Sequence, residues 1–373
     1  MTKRILLTGG HGATVGIAVV EALRKLVEPS KIDISWIGTK RAKEGSDATT
    51  LEYKIYSNIG VKIYPIEAGK LQTKFTRYTI LSMLKIPLGF VQALIALSKI
   101  RPQVVLSLGG FASFPVVFWA WFFRIPVILH EQTVVAGRAS MASAFFSRKI
   151  ALARAQSQKF FPKDKTVVTG NPVMSSILSV HPTSPSGLRG AGRSTITILV
   201  VGGSRGSRFI NGEIVKIMPE LVNKNGALHA KIIHITGESD YEKYKGLSNK
   251  NYEVLSFVDP REMYKYYEKA DLIISRSGAN TVSEILITKR PAILIPLPRT
   301  FMGEQVKNAE YAKDFGLAKV MLETEVNSES LKSAIYTMFN DWQNIVSRVK
   351  QKDSPDKNAA EKVANLLLNY VQV

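Results

Sequence analysis

Residues 4–16 read Arg4-Ile5-Leu6-Leu7-Thr8-Gly9-Gly10-His11-Gly12-Ala13-Thr14-Val15-Gly16, and residues 196–207 read Ile196-Thr197-Ile198-Leu199-Val200-Val201-Gly202-Gly203-Ser204-Arg205-Gly206-Ser207. Each is a short apolar run that stops at glycines and leads into a segment of helical spacing. Such a run has the length of a buried strand. Glycines at its end let the backbone approach a ligand, and the amino terminus of the following helix favours anions. The same opening occurs twice in a chain of 373 residues, which is long for one hydrophobic core. Two Rossmann-like domains are the reading that fits both facts.

Working outward, the alternation holds. In the first half the apolar runs predict strands at 4–8, 33–37, 61–66, 104–108, 127–130 and 166–169, with helices near 15–27, 77–99, 113–123 and 138–146. In the second half strands are predicted at 196–201, 231–235, 252–257, 272–275 and 292–296, with helices near 206–223, 261–269, 279–288 and 304–315. Strand–helix–strand alternation builds parallel sheets covered on both faces. The Pro, Ser and Gly-rich stretch within 181–195 reads as a linker. The expected organisation is a first domain over 1–180, a second over 196–350, and a tail over 351–373 with a helix, for which packing back on the first domain is one open course. Two such domains are expected to face each other across a cleft at the carboxyl ends of their strands, where open α/β sheets bind ligands.

Composition narrows the function classes. Apolar residues make up 45% and charged residues 21%, as in an ordinary globular chain. There is no cysteine, which excludes disulfide scaffolds, Cys-ligated zinc, iron–sulfur clusters and Cys nucleophiles. The longest apolar run, 116–123, stops at Arg124, well short of the roughly 18 residues of a membrane span. Ile5-Leu6-Leu7 is too short for a signal-peptide core, so a cytosolic protein is expected. The net charge is +20, and residues 1–180 hold 24 Lys and Arg against 9 Asp and Glu. A basic first half implies an anionic partner: nucleic acid, an anionic membrane surface or a phosphorylated substrate.

The loops carry the chemistry. A dinucleotide loop needs G-x-G-x-x-G. Gly10 and Gly12 fit, but the third position is Val15, and the second strand ends Trp36-Ile37-Gly38-Thr39-Lys40 without an acid for a ribose. This argues against a nicotinamide cofactor. His11 is a candidate general base near neutral pH. Ser107-Leu108-Gly109-Gly110-Phe111 offers a second strand-to-helix loop. Gly202-Gly203-Ser204 offers a diphosphate cradle of backbone amides and a hydroxyl. Gly69-Lys70 is followed by Leu71, so a Walker A loop is rejected. Arg276-Ser277-Gly278-Ala279-Asn280-Thr281-Val282-Ser283-Glu284 would start a helix near Ala279, with Glu284 placed to accept ribose hydroxyls.

Together Gly109-Gly110-Phe111, His130-Glu131-Gln132 with Gly137, Gly170-Asn171-Pro172-Val173, Gly202-Gly203-Ser204-Arg205-Gly206, Arg276-Ser277-Gly278-Ala279 through Glu284, and Gln305 with Asn308-Ala309 resemble the MurG family over 4–321. These are peripheral membrane glycosyltransferases. The resemblance implies the GT-B fold and an inverting transfer of N-acetylglucosamine from UDP-GlcNAc to the muramoyl 4-hydroxyl of the undecaprenyl-diphosphate-linked pentapeptide (lipid I to lipid II). It further implies that the second domain binds the donor. The backbone around Val258 would hold the uracil, Glu284 the ribose, Gly203, Ser204, Ala279, Asn280 and Thr281 the diphosphate, and Gln305 the sugar. In the first domain Gly9, Gly10, Gly12, Gly109, Gly110 and Glu131 would meet the acceptor, with His11 as general base. The chain departs from the family at Thr133 and Ser140, where asparagines are usual, at Met174, usually arginine, and at Glu304, usually His or Gln. Thr133, Met174 and Glu304 are counted with the donor side.

No acidic cluster suggests a metal site, so no obligatory protein-bound metal is expected. Residues 74–100 place Phe75, Ile80, Leu81, Met83, Leu84, Ile86, Leu88 and Phe90 among Lys74, Arg77, Lys85 and Lys99. An apolar face ringed by bases suits an anionic bilayer, so peripheral binding at the cytoplasmic face of the membrane is expected. The aromatics of 118–123 read as core. Two alternatives stay open. One is a different GT-B sugar-nucleotide enzyme, with another UDP-sugar or acceptor or a UDP-GlcNAc epimerase chemistry. The other is a basic nucleic-acid-binding protein, although no nucleic-acid motif is present and nucleic acid is not an expected partner.

Overall fold

The computed structural model describes residues 2–10, 12–41, 49–69, 79–180, 195–203, 206–223 and 228–371, and for 79–84 and Thr195 the backbone alone. The chain forms two compact units, Met1–Met174 with Pro355–Val373, and Ser175–Ser354. The break between them falls ahead of the 181–195 stretch, of which 181–194 lie outside the described residues.

The first unit holds β1 (Lys3–Thr8), β2 (Ile32–Gly38), β3 (Lys62–Pro65), β4 (Val104–Ser107), β5 (Val127–Glu131), β6 (Lys149–Leu152) and β7 (Thr166–Val168). They form one sheet in the order β3-β2-β1-β4-β5-β6-β7, and every pair is parallel. Ile5, Leu6 and Leu7 are fully buried, as a strand covered on both faces requires. The helices are α1 (Ala13–Leu26), α2 (Leu51–Tyr56), α3 (Thr79–Ile100), α4 (Phe114–Phe122) and α5 (Arg138–Ala144).

The second unit holds α6 (Ser175–Leu178), β8 (Thr195–Val201), α7 (Arg208–Leu221), β9 (His229–Ile235), α8 (Glu238–Tyr244), β10 (Tyr252–Leu255), α9 (Met263–Lys269), β11 (Leu272–Ser275), α10 (Ala279–Thr288), β12 (Ala292–Leu294), α11 (Glu304–Phe315), β13 (Ala318–Val320), α12 (Ser328–Asn340) and α13 (Trp342–Val349). Its parallel sheet runs β10-β9-β8-β11-β12-β13. In both sheets the first strand sits between the second and the fourth of its unit. That is the topological switch point at which such sheets bind ligands.

Short elements escaped the sequence pattern. β6 and β13 were not expected, because four and three residues carry too little periodicity to stand out. The aromatics of 118–123 were read as core, and the structure corrects this. α4 buries Pro115, Val116, Val117 and Ala120, while Trp121, Phe122 and Phe123 are 46%, 60% and 44% exposed. Arg124, at φ +57°, then turns the chain back toward β5.

The tail helix α14 (Ala359–Leu368) packs on α1 in the first unit. A buried ion pair anchors it. Arg154 donates to both carboxylate oxygens of Asp356 at 2.6 and 2.8 Å, and the Asn171 amide donates to the same carboxylate at 2.7 Å. Both side chains are shut off from water. Removing one partner strands the other charge, which costs about 3–5 kcal/mol. Asp356→Ala is therefore expected to lower unfolding free energy by that amount in urea titrations. The double replacement Arg154→Met with Asp356→Leu is expected to cost less than the single change.

Candidate active site

Each switch point is built from loops that touch. In the first unit the register sets Thr8 beside Ser107, so the loops after β1 and β4 leave the sheet level with each other. The Gly10 amide donates to the Gly109 carbonyl at 3.3 Å. Gly9 has φ +132°, and a Cβ there would lie 2.6 Å from that same carbonyl oxygen. Only glycine fits. Gly10 differs, because a Cβ on it would meet nothing within 4 Å. The Gly12 amide is held by the Glu52 carboxylate of α2 at 3.0 Å. His11 lies outside the described residues.

The His130-Glu131-Gln132 segment ends β5 and turns inward. His130 is buried, and its Nε2 donates to the Gly170 carbonyl at 3.1 Å. That fixes the neutral tautomer with the proton on Nε2. Burial holds its pKa down at about 4. Glu131 is also buried, and burial pushes its carboxyl above the usual range. It accepts from the Thr133 amide at 3.3 Å, the Thr133 hydroxyl at 3.0 Å and the Gly137 amide at 3.3 Å, and it also bonds the Ser140 hydroxyl. The Thr133 hydroxyl also contacts the Val135 carbonyl. Thr133 and Ser140, the two departures from the family asparagines, are thus the residues that secure Glu131. Gln132 donates to the Leu108 carbonyl at 3.2 Å and ties this turn to the glycine loops. Glu131 is spent on its own loop. Met174, 1% exposed, has no surface to offer a ligand.

In the second unit Val201 pairs with Ser275, so the loops after β8 and β11 are again level. Gly206 has φ +75°, and a Cβ there would lie 2.0 Å from the Thr236 carbonyl oxygen. Gly203 is open, with no atom of the described residues within 4 Å of a Cβ. Ser204 and Arg205 lie outside the described residues. Ser207 caps α7 by accepting from the Ile210 amide. Arg276 has a use that its place in the motif did not disclose. It donates to the carbonyls of Ile295 and Pro296 at 3.1 and 3.2 Å and to the Ser207 hydroxyl at 2.8 Å, and it pairs with Glu323. It laces the strand ends together and is not itself offered to a ligand.

The first turn of α10 starts at Gly278, and Gly278, Ala279, Asn280 and Thr281 are all partly exposed. Its amides form an anion-favouring helix terminus. Glu284 follows one turn later, half-buried, and burial pushes its pKa up to about 7. The Tyr267 hydroxyl donates to Glu284 Oε2 at 2.7 Å. Ser277 Oγ donates to the Gln305 carbonyl at 2.7 Å, and Asn308 donates to the Ser277 carbonyl at 3.2 Å. Gln305 Oε1 accepts from the Leu297 amide at 2.9 Å, which turns its amide nitrogen to other uses. Glu304 opens α11, where an acid complements the helix dipole. Val258 is half-buried, beside exposed Phe257 and the Asp259–Arg261 pair. Sequence reasoning missed Tyr267. The available signal was a tyrosine on the apolar side of a short helix, whose buried hydroxyl needs a partner.

Comparison with known proteins places the chain among glycosyltransferases. Residues 5–152 match the glycosyltransferase family 28 N-terminal domain, and residues 197–365 match the glycosyltransferase family 28 C-terminal domain. A Bacillus cereus protein named UDP-N-acetylglucosamine--N-acetylmuramyl-(pentapeptide) pyrophosphoryl-undecaprenol N-acetylglucosamine transferase 2 is 32% identical over 334 residues, covering 88% of this chain and 89% of that protein. The transferase of that name from Clostridium kluyveri is 31% identical over 372 residues, covering 99% of both chains. The crystal structure of Acinetobacter baumannii MurG superposes with a TM-score of 0.68 at 23% identity, covering 98% of this chain and 99% of that one.

The buried histidine sets a pH dependence of stability. His130 is neutral in the fold with a pKa near 4, and an unfolded histidine titrates near 6.5. The unfolded chain therefore takes the proton first. The stabilising contribution is complete above pH 6.5 and is lost as pH falls toward 4, by up to about 3 kcal/mol. Thermal unfolding followed from pH 7.5 to 4.5 is expected to show this slope. His130→Gln keeps a donor to Gly170 and is expected to remove about half of it, because buried His234 is held down at about 4 in the same way.

Proposed function

We infer the function of this chain from its family, for it belongs to glycosyltransferase family 28 and, within it, to the MurG family. It is a GT-B glycosyltransferase that moves N-acetylglucosamine from UDP-GlcNAc to the muramoyl group of the undecaprenyl-diphosphate-linked pentapeptide. The observation that carries the donor side is the pairing of an open glycine turn at Gly203 with the accessible first turn of α10 and Glu284. Backbone amides at the two helix starts take the diphosphate. Glu284 takes ribose hydroxyls, and Gln305 reads the sugar.

The reaction is a displacement with inversion. The acceptor 4-hydroxyl oxygen forms a bond to C1 of the sugar as the bond from C1 to the UDP oxygen breaks. The hydroxyl proton passes to a general base, for which His11 is the candidate, a contribution of about 10²–10⁴-fold. Charge developing on the leaving diphosphate is met by amides already in place at Gly203 and Ala279, so little reorganisation is needed. In the first unit the space over Gly10, whose own amide is engaged by Gly109, is left for the acceptor diphosphate.

The acceptor is lipid-borne, and the first unit has a surface for it. Leu88, Val91 and Ile95 are exposed along α3 at one-face spacing. Phe90 meets Phe118 edge to face, and Phe118 leads through Trp121 and Phe146 to Phe145, which is 72% exposed. Arg124 and Arg148 are exposed beside this run. Among the described residues no helix is long and apolar enough to cross a membrane. The reading is peripheral attachment, with aromatics at the headgroup level and bases toward anionic lipid. Residues 70–78 and the side chains of 79–84, part of the segment first singled out, lie outside the described residues.

Two outcomes are expected. Glu284→Ala abolishes UDP-dependent thermal stabilisation and lowers transfer to a soluble acceptor analogue at least a hundredfold. Because Glu284 titrates near 7 and binds ribose when ionised, wild-type UDP affinity falls as pH drops from 8 to 6, and Glu284→Gln loses that part of the slope. On the acceptor side, the protein floats with vesicles of anionic lipid. Trp121→Ser with Phe145→Ser weakens flotation about tenfold while leaving UDP binding unchanged. Flotation that survives both substitutions removes this surface from the account.

A further inference from the structure

A glutamate on a helix has three rotatable bonds, and a carboxylate that swings freely is a poor reader of a diol. Glu284 is not free to swing. Tyr267, on α9, is buried and donates its hydroxyl to Oε2 at 2.7 Å. Among the described residues none donates to Oε1. The tyrosine is itself held from behind. Arg290, just before β12 and fully buried, donates from Nε to the Tyr267 carbonyl at 3.1 Å and from Nη2 to the Glu268 carbonyl at 3.2 Å. The end of α9 is thereby fixed to the chain that follows α10, and α10 carries Glu284.

We propose that Tyr267 is a positioning residue of the donor site: by holding one oxygen of Glu284 it presents the other to the ribose hydroxyls of a uridine nucleotide. This rests on the reading of Glu284 as the ribose acceptor. A hydroxyl has one proton to give, so Tyr267 occupies one carboxylate oxygen and leaves the second. The ordering cost of the side chain is met in the fold and not at binding. The consequence is selectivity as well as affinity. A ribose with both hydroxyls gains a charge-assisted hydrogen bond, whereas a nucleotide lacking the 2′-hydroxyl leaves a partly desolvated carboxylate oxygen unmet.

The test compares binding of UDP and 2′-deoxy-UDP by calorimetry in wild type, Tyr267→Phe and Glu284→Gln. Wild type is expected to prefer UDP by about tenfold, the weight of one hydrogen bond to a charged group. Tyr267→Phe keeps the buried ring and removes the donor. It is expected to bring that preference to within about twofold of unity and to raise KM for UDP-GlcNAc several-fold, with kcat at saturating donor unchanged. Replacing Tyr267 by 4-aminophenylalanine returns a donor to the same place and is expected to restore most of the preference. If Glu284→Gln keeps the wild-type preference, the ribose reading itself fails. If Glu284→Gln loses it and Tyr267→Phe keeps it, the ribose reading stands and the proposal for Tyr267 falls. Loss of fold in Tyr267→Phe without rescue by the amino variant assigns Tyr267 to stability alone and also overturns the proposal.

Discussion

The constraint on which both units depend is crowding at the switch point. Two adjacent parallel strands end side by side, and their crossovers then leave in opposite directions. Nothing intervenes between the two following loops, so they must either meet or leave a hole. Here they meet. Gly9 lies against the Gly109 carbonyl, and the Ser207 hydroxyl is tied to Arg276. A side chain at Gly9 or Gly206 would collide with backbone, which cannot move aside as a side-chain tip can. The loops are thus rigid where they touch. Space remains beside them, over Gly10 and at Gly203, where a Cβ would meet no described atom within 4 Å. Rigid backbone beside open backbone is what preorganised anion binding needs, because amides fixed in advance need not reorganise as charge develops.

Buried polar groups make the geometry unique. Hydrophobic packing fills both cores, but packing alone tolerates small slides of helix on sheet. A buried ion pair does not. Arg154 and Asp356 meet with two hydrogen bonds and no access to water, so any slide of α14 along α1 would strand a charge. The same logic governs Asn211, His234 and Tyr252 below the β8 loop. His234 accepts from the Tyr252 hydroxyl at 2.7 Å and meets Asn211 at 3.0 Å. Asn211 in turn donates to the Thr236 carbonyl and to Asp240, both at 2.9 Å. Each member has a partner, so the start of α7 is tied to β9, β10 and α8, and the glycine turn after β8 rests on a fixed base.

Much of this architecture was legible in the sequence, and the reasons are physical. Fully buried parallel strands are continuous apolar runs, and β1 and β8 announce themselves by ending at glycines. Helices such as α10 and α11 carry apolar spacing and follow recognisable turns. What was not legible depends on contacts between residues distant in sequence. Arg276 looked like part of a ligand loop, yet its guanidinium is committed to carbonyls some twenty residues away. Tyr267 gave no sign of its bond to Glu284, because one helix's spacing does not say what the next helix brings. The aromatic run at 118–123 was misplaced for a related reason. Hydrophobicity says that a side chain prefers to leave water, but not whether another element of the fold covers it.

Departures from the family pattern fit the same physics. The roles that polar side chains play inside the fold constrain chemistry more than identity. Thr133 and Ser140 replace amides with hydroxyls, yet both reach the Glu131 carboxylate. A buried carboxylate asks for donors, and hydroxyl and amide both supply one. Glu304 differs in kind. An acid cannot donate when ionised, so it cannot copy a His or Gln donor to a sugar hydroxyl. It is acceptable to the fold because it opens α11, where the helix terminus favours negative charge. On the proposed donor reading, donation to the sugar is therefore left to Gln305. Gln305 is ready for that, since its carbonyl is already engaged by the Leu297 amide and its amide nitrogen is the end left to donate.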